Sequence, residues 1–175
     1  MHCPKKILVM GISGTGKSTL SRELAATTGL PLVHMDSLIW RESWQEAPEQ
    51  DVQQALEDIA ATERWVVEGW IDHYSHPLLA QADLVVYLDF PGWRAAWGGV
   101  QRWWRYQGKC RPELPEGCVE SLDLRYLKTM LLRHERPHIE AILAQVKPKT
   151  VVRVRSREEG KRLIAELAHS APTFP

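Results

Sequence analysis

Long apolar runs are missing from this chain. None approaches the ~18 residues that a membrane helix requires. The first residues lead straight into a short strand, which leaves no room for a secretory leader. Cysteine is scarce. Cys3, Cys110 and Cys118 are an odd number with no C-x-x-C pair, which argues against a disulfide scaffold and suits reduced thiols in a cytoplasmic protein. Cys110 and Cys118 are near enough in sequence to share a metal, but no further ligand set accompanies them, so ordinary thiols are the simpler reading. Net charge is absent too: Lys+Arg and Asp+Glu are equal at 22, so no overall field argues for nucleic acid or an anionic membrane. No Asn-Lys-x-Asp stretch is found, which argues against a guanine-reading switch. Internal repeats and low-complexity segments are lacking as well. Phenylalanine is rare at 2, whereas tryptophan reaches 8, and those tryptophans need placing.

What is present is organised around Gly11-Ile12-Ser13-Gly14-Thr15-Gly16-Lys17-Ser18, which fits G-x-x-x-x-G-K-[ST] without a mismatch. The apolar run Lys5–Met10 precedes it and suits a buried parallel strand. Thr19–Ala26, rich in helix formers, follows. Glycines at Gly11, Gly14 and Gly16 let backbone N–H groups turn around phosphate oxygens, and the helix N-terminus adds partial positive charge. The amides of Ser13, Thr15 and Thr19 belong to the same cradle. Lys17 is placed to reach terminal phosphates, and the Ser18 hydroxyl to ligate Mg²⁺. The motif therefore implies ATP and Mg²⁺.

Along the chain, Thr28-Gly29-Leu30-Pro31 stops the first helix and Leu32–Met35 is a second strand. Residues 37–48 show no clear period. A helix is expected from about Pro48 to Thr62, with Val52, Ala55, Leu56 and Ile59 on one face. Trp65–Val67 is a third strand, a helical turn follows near Pro77–Gln81, and Leu84–Leu88 is the clearest strand. Pro91 opens a helix whose apolar positions Trp93, Trp97, Val100 and Trp104 step by three or four, so these tryptophans are expected in the core. Residues 107–122 read as a loop, and a helix over 124–145 is expected to kink before Pro137. Thr150–Val154 and Arg157–Ala168 complete the pattern, with a terminal tail expected to fray. Alternating strands and helices imply one α/β domain with a five-stranded parallel sheet covered on both faces. Ligands then sit beyond the carboxyl ends of the strands, the edge where the phosphate loop, Asp36, Glu68 and Asp89 should gather.

A phosphate loop needs a carboxylate for Mg²⁺ or its waters. Glu68 and Asp89 both follow apolar strands, and Glu68 is favoured because Gly69 lets the backbone approach substrate; each also reads as a solvated or capping carboxylate. Asp36 is a candidate acceptor contact or a turn residue. Arg102, Arg105, Lys109 and Arg111 cluster around the 107–122 loop. Arg102 and Arg111 suit stabilisation of a transferring phosphoryl group by a lid that excludes water, or simply end a solvated basic helix. Trp40, Trp44, Trp70 and Trp103, in less regular surroundings, are candidates for an aromatic shelf.

The residues also resemble a family. His34-Met35-Asp36 with Trp40 and Trp44, Arg64–Gly69, Ala82-Asp83, Leu88–Pro91, Arg111-Pro112-Glu113 and Glu116–Glu120 are similar to the adenylate-kinase-like proteins labelled DNA topology modulation kinases. The resemblance, which spans residue 5 to about 156, implies a nucleoside-monophosphate-kinase fold, with residues 1–175 expected as a single P-loop kinase domain. It further implies an acceptor-binding region near 36–80 that includes Asp36, Trp40, Gly69 and Trp70, and an arginine-bearing lid near 102–122. Glu68-Gly69 stands where such kinases carry Asp-Gly, and 153–156 would lie near the adenine. The chain departs from the pattern at Trp70, Leu78, Gly98 and Trp103. Leu78 replaces an arginine that would grip an acceptor phosphate, which opens the reading to a less anionic acceptor, such as a nucleoside or small alcohol, as well as a nucleotide. The expectation is an ATP- and Mg²⁺-dependent kinase that transfers the γ-phosphoryl to a nucleotide, nucleoside or other small acceptor, with Lys17, Glu68, Arg102 and Arg111 in catalysis, acting as a monomer or homodimer. The alternative is an ATP-binding regulator or slow ATPase acting through a partner, conceivably nucleic acid.

Overall fold

Ile7, Leu8, Val9 and Met10 are fully buried, which only the central strand of a sheet covered on both faces demands. In the computed structural model, which describes residues 4–70, 72 and 75–170, they form β1 (Lys6–Gly11). Around it lie β2 (Leu32–His34), β5 (Trp65–Gly69), β6 (Leu84–Leu88) and β7 (Val151–Val154), in the order β2-β5-β1-β6-β7. All four pairings are parallel, as expected for strands joined through helices. A separate two-residue pair, β3 (Trp40–Arg41) and β4 (Gln45–Glu46), is antiparallel.

Alternation along β1 divides the core. Ile7 and Val9 face α1 (Lys17–Thr28) and α8 (Arg157–Ser170), with Leu20, Leu24, Leu163 and Leu167. Leu8 and Met10 face α3 (Glu49–Ala61), α4 (His76–Gln81) and α7 (Arg136–Val146), with Leu56, Leu78, Leu79 and Ile139. Each such side chain contributes roughly 1.5–3 kcal/mol on burial. On α3 the buried positions are Val52, Leu56 and Ala60, while Ala55 and Ile59 are half-buried at its margin. Gly29 ends α1 in the left-handed region, φ 66°, as the stop signal requires. The 36–46 stretch begins with the single turn α2 (Asp36–Ile39) and includes Ser43 and Trp44, both with φ near 60° (58° and 61°). The expected 124–145 helix is two, α6 (Leu124–Leu132) and α7, separated by a corner in which Arg133 adopts φ 55°.

The tryptophans of α5 (Gly92–Tyr106) correct the sequence reading. Trp93, Trp97 and Trp104 are 60%, 58% and 75% exposed, not core residues. The buried face of α5 is Gly92, Ala95 and Gly99. A Cβ on Gly92 would lie 1.9 Å from the Leu131 carbonyl oxygen, and one on Gly98 2.0 Å from that of Gly14. Small residues let this helix press its backbone against α6 and the phosphate loop, which turns the large side chains outward. Hydrophobic spacing found the helix and chose the wrong face. Cys3 and the tail beyond residue 170 lie outside the described residues.

Candidate functional site

The register brings the loop and its partners to one edge. Met10 pairs with Gly69, Gly11 with Leu88, and His34 with Glu68, so the carboxyl ends of four strands are level. From there the loop runs into α1. Thr15 braces it by donating its hydroxyl to the Ile12 carbonyl at 2.7 Å, and the Thr19 and Leu20 amides close onto Gly16. Lys17 Nζ donates to the carbonyls of Gly11 (2.9 Å) and Ile12 (3.3 Å). Burial pushes the Lys17 ammonium down from its ordinary pKa, against the carboxylates of Glu68, Asp36 and Glu135.

Ser18 donates its hydroxyl to Glu68 Oε1 at 2.9 Å, and His34 Nδ1 lies 2.6 Å from the same oxygen. Burial alone would raise the Glu68 carboxyl, but the His34 hydrogen bond, the Lys17 charge and Ser18 outweigh it and hold the group below its ordinary value. Glu68 is therefore an ionised carboxylate beside a hydroxyl, a donor set that suits a hard divalent cation. Asp89 is placed differently. Its described partners are Arg133, Arg136 (3.0 Å) and Arg153 (3.5 Å). Three guanidinium groups occupy its oxygens, which leaves Glu68 as the better Mg²⁺ candidate.

The 107–122 segment lies against this edge. Its ends are tied by bridges from Gln107 to Glu120 and from Cys110 to Val119. Arg111 is buried, with Nε 2.6 Å from Glu120 Oε1 and Nη1 3.4 Å from Asp36 Oδ2. Arg102 lies 3.2 Å from the same Glu120 oxygen and donates to Ser13 Oγ at 3.2 Å. Glu120 thus joins the two arginines that the sequence singled out, one beside the loop and one beside Asp36. The segment also docks on the 40–46 hairpin: Ser43 N–H donates to the Glu116 carbonyl, and Trp44 Nε1 to that of Val119. Cys118 Sγ accepts the Trp44 N–H at 3.4 Å and donates to the Arg41 carbonyl, so it packs as a thiol. Among the described residues no cluster of three or more His, Cys, Asp or Glu is suited to a metal, and none forms around Cys110.

Other expected residues are less convergent. Trp40 packs edge-on against Trp44 at 5.3 Å and lines an open 600 Å³ cavity with Ser37, Arg41, Asp51 and Pro115. Trp70 stacks on His138. The space at Gly69 is filled by Met35, whose Cβ would lie 2.5 Å from an added one, so packing alone requires glycine here. Three residues went unassigned in the sequence. His34 stood within a recognised strand. Tyr126 lies beside Ser13, and Glu135 accepts the Ser13 N–H at 3.2 Å; both sit where no local motif points to the loop. A second cavity of 260 Å³ opens beside the loop, lined by Gly14, Gly16, Trp93, Trp97, Arg157 and Glu158.

Comparison with known proteins bears on the fold. A family model described as "ATPase family associated with various cellular activities (AAA)" matches residues 7–73. No curated protein matches the chain. Among solved structures, shikimate kinase from Acinetobacter baumannii in complex with shikimate is 17% identical with a TM-score of 0.59, over 93% of this chain and 90% of that one. Shikimate kinase from Bacteroides thetaiotaomicron is 14% identical with a TM-score of 0.60, over 95% and 97%. A gluconokinase from Sinorhizobium meliloti 1021 is 23% identical with a TM-score of 0.55, over 97% and 96%. The fold is that of P-loop kinases: a five-stranded parallel sheet flanked by helices. No described helix is long and apolar enough to cross a membrane.

Proposed function

We propose that this protein is an ATP- and Mg²⁺-dependent kinase that transfers the γ-phosphoryl group to a hydroxyl of a small acceptor. The observation that carries this reading is convergence: Lys17, the Ser18–Glu68 pair and Arg102 meet at one sheet edge, with Asp36 and Arg111 joined to them through Glu120. The loop amides and Lys17 hold the donor phosphates. Ser18 and Glu68 hold Mg²⁺, which when bound neutralises phosphate charge. Arg102 and Arg111 stabilise the charge that spreads over the transferring group, and the docked 107–122 segment excludes water. Asp36 is a carboxylate able to accept a hydrogen bond from the acceptor hydroxyl.

The acceptor is hydroxylated rather than phosphorylated in this reading. Leu78, where a phosphate-gripping arginine would stand, is fully buried among apolar residues. Structural neighbours named for shikimate and gluconate point the same way. The base of the donor lies in the 260 Å³ cavity, with Trp93 and Trp97 offering exposed aromatic faces one helical turn apart. The whole chain acts as one kinase unit, its acceptor side at 36–80 and its lid at 102–122. Kinship with the adenylate-kinase-like DNA topology modulation group is part of this proposal.

The test is transfer from γ-labelled ATP with Mg²⁺ across sugar acids, small alcohols, nucleosides and nucleoside monophosphates, with Lys17→Ala as the blank. Acceptor-dependent transfer that vanishes in the blank supports the reading. Nucleotide binding without transfer to any acceptor favours a regulator instead.

A further inference from the structure

Glu135 is the residue before α7, yet its side chain caps none of that helix's amides. It turns the other way. Its Oε2 accepts the Ser13 N–H at 3.2 Å, an amide of the turn that the loop motif reserves for phosphate oxygens. The Ser13 hydroxyl is also engaged, accepting from Arg102 Nη1 at 3.2 Å. Lys17 feels the Glu135 charge while its Nζ donates to carbonyls of its own loop. The cradle therefore already contains an anion, and the chain itself supplies it.

The corner that carries Glu135 is held from the opposite side. Arg133, in the left-handed region, and Arg136 both bind Asp89, and the His134 N–H donates to the Thr129 carbonyl at 3.0 Å. Asp89 follows β6, whose Leu88 is in register with Gly11 at the start of the loop. The brace thus rises from the same sheet edge and aims Glu135 back across it. The 3.2 Å contact is long for a charge-assisted bond. Burial pushes the Glu135 carboxyl up, against Lys17 and the Ser13 N–H, so the ionised form is held loosely.

We propose that Glu135 is an internal competitor for the phosphate cradle. Its carboxylate occupies the Ser13 amide in the free protein, and the polyphosphate of the donor nucleotide displaces it. Two anions cannot share one amide, so binding must swing the Glu135 side chain off Ser13, which releases one tie on the 133–136 corner. The inference rests on reading the loop as a nucleotide site, and its test separates the two.

ATP and ADP affinity would be measured by calorimetry for the wild-type protein, Glu135→Ala, Glu135→Gln and Lys17→Ala. Amide hydrogen exchange would be followed over residues 12–14 and 133–136. Glu135→Ala should bind both nucleotides about tenfold more tightly, the scale of one hydrogen bond to a charged group. Glu135→Gln keeps an oxygen for the Ser13 N–H without the charge and should fall between. In the wild type, nucleotide should slow exchange at 12–14 and speed it at 133–136. If the wild type binds nucleotide and both Glu135 variants bind equally or more weakly, the competitor is overturned and the nucleotide reading stands. If no protein in the set binds nucleotide, the reading of the loop fails and takes the competitor with it.

Discussion

Ser18 Oγ and Glu68 Oε1 lie 2.9 Å apart, joining the loop to the neighbouring strand's end through one hydrogen bond. His34 takes up the other side of that oxygen, so the carboxylate is fixed in direction before any ligand arrives. Glu68→Gln keeps the shape and removes the charge. It is expected to lower turnover by about 10²-fold and raise the Mg²⁺ concentration needed for half-maximal rate, with folding little changed. Rates measured across a Mg²⁺ series check this. An unchanged Mg²⁺ requirement would remove Glu68 from the metal site.

Arg111 and Arg102 share one oxygen of Glu120, Arg102 reaching on to Ser13 and Arg111 to Asp36. If both stabilise the transferring group, each alanine variant should lose about 10²-fold in kcat with ATP affinity changed only a few-fold. Arg111→Ala carries a second effect. It leaves Glu120, 7% exposed, with one cation instead of two, and should cost about 3 kcal/mol of stability. Urea denaturation beside the kinetics distinguishes the two roles. A fall in ATP affinity with unchanged kcat would argue against the lid assignment.

Trp97 is more than half exposed and borders the cavity beside the loop. Trp97→Ala should therefore change stability by no more than about 0.5 kcal/mol. If the donor base stacks there, the same variant should lose roughly 1–3 kcal/mol of nucleotide affinity. Calorimetry reads the affinity, and quenching of tryptophan fluorescence on adding ATP, reduced in the variant to what Trp93 contributes, reads the contact itself.

The acid dependence of folding has a locatable contributor in Asp83. Its Oδ2 accepts the backbone N–H groups of Lys5 (3.0 Å) and Lys6 (3.1 Å), fastening the start of β1. Burial alone would raise its carboxyl, but these bonds and Lys149 hold it below the ordinary value. A carboxyl lowered in the folded state stabilises fully above its unfolded pKa of about 3.9 and loses that contribution as pH falls through the folded value. Asp83→Ala should thus cost about 0.5–1 kcal/mol at pH 7, discounted for solvent, and progressively less as pH falls below the ordinary carboxylate range. Urea midpoints of wild type and variant across an acid pH series test the sign.

Much of this was legible in the chain because its signals are local. The loop motif, Gly29 after α1 and the apolar runs of β5 and β6 depend on a few adjacent residues, and the strands followed where those runs stood. The parallel order then placed Glu68 and Asp36 near the loop by topology alone. Other features depend on contacts distant in sequence. Asp89 and Glu68 read alike in sequence, and only the fold delivers three arginines to one and Ser18 to the other. Glu135 reaches Ser13 across 122 positions, which no local pattern encodes. The α5 tryptophans misled because helical spacing identifies a stripe but not its direction. That direction was set by glycines on the other face, which hydrophobicity counts as weak.

Gly98 and Gly99 make that last point testable, since they are neighbours in one helix and meet different surroundings. Glycine to alanine in a helix interior gains up to about 1 kcal/mol of propensity. At Gly99 an added Cβ meets the Met130 sulfur at 2.9 Å and the Leu127 Cδ2 at 3.0 Å, the flexible ends of side chains that can shift. At Gly98 it meets the Gly14 carbonyl oxygen at 2.0 Å, part of the loop backbone, and either α5 or the loop must move. Gly99→Ala should therefore be close to neutral in urea denaturation. Gly98→Ala should lose about 1–3 kcal/mol, and because the strain falls on the phosphate loop it should weaken ATP binding even at temperatures where the fold is intact. Equal effects from the two variants would mean that α5 does not rest on the loop through its glycine face.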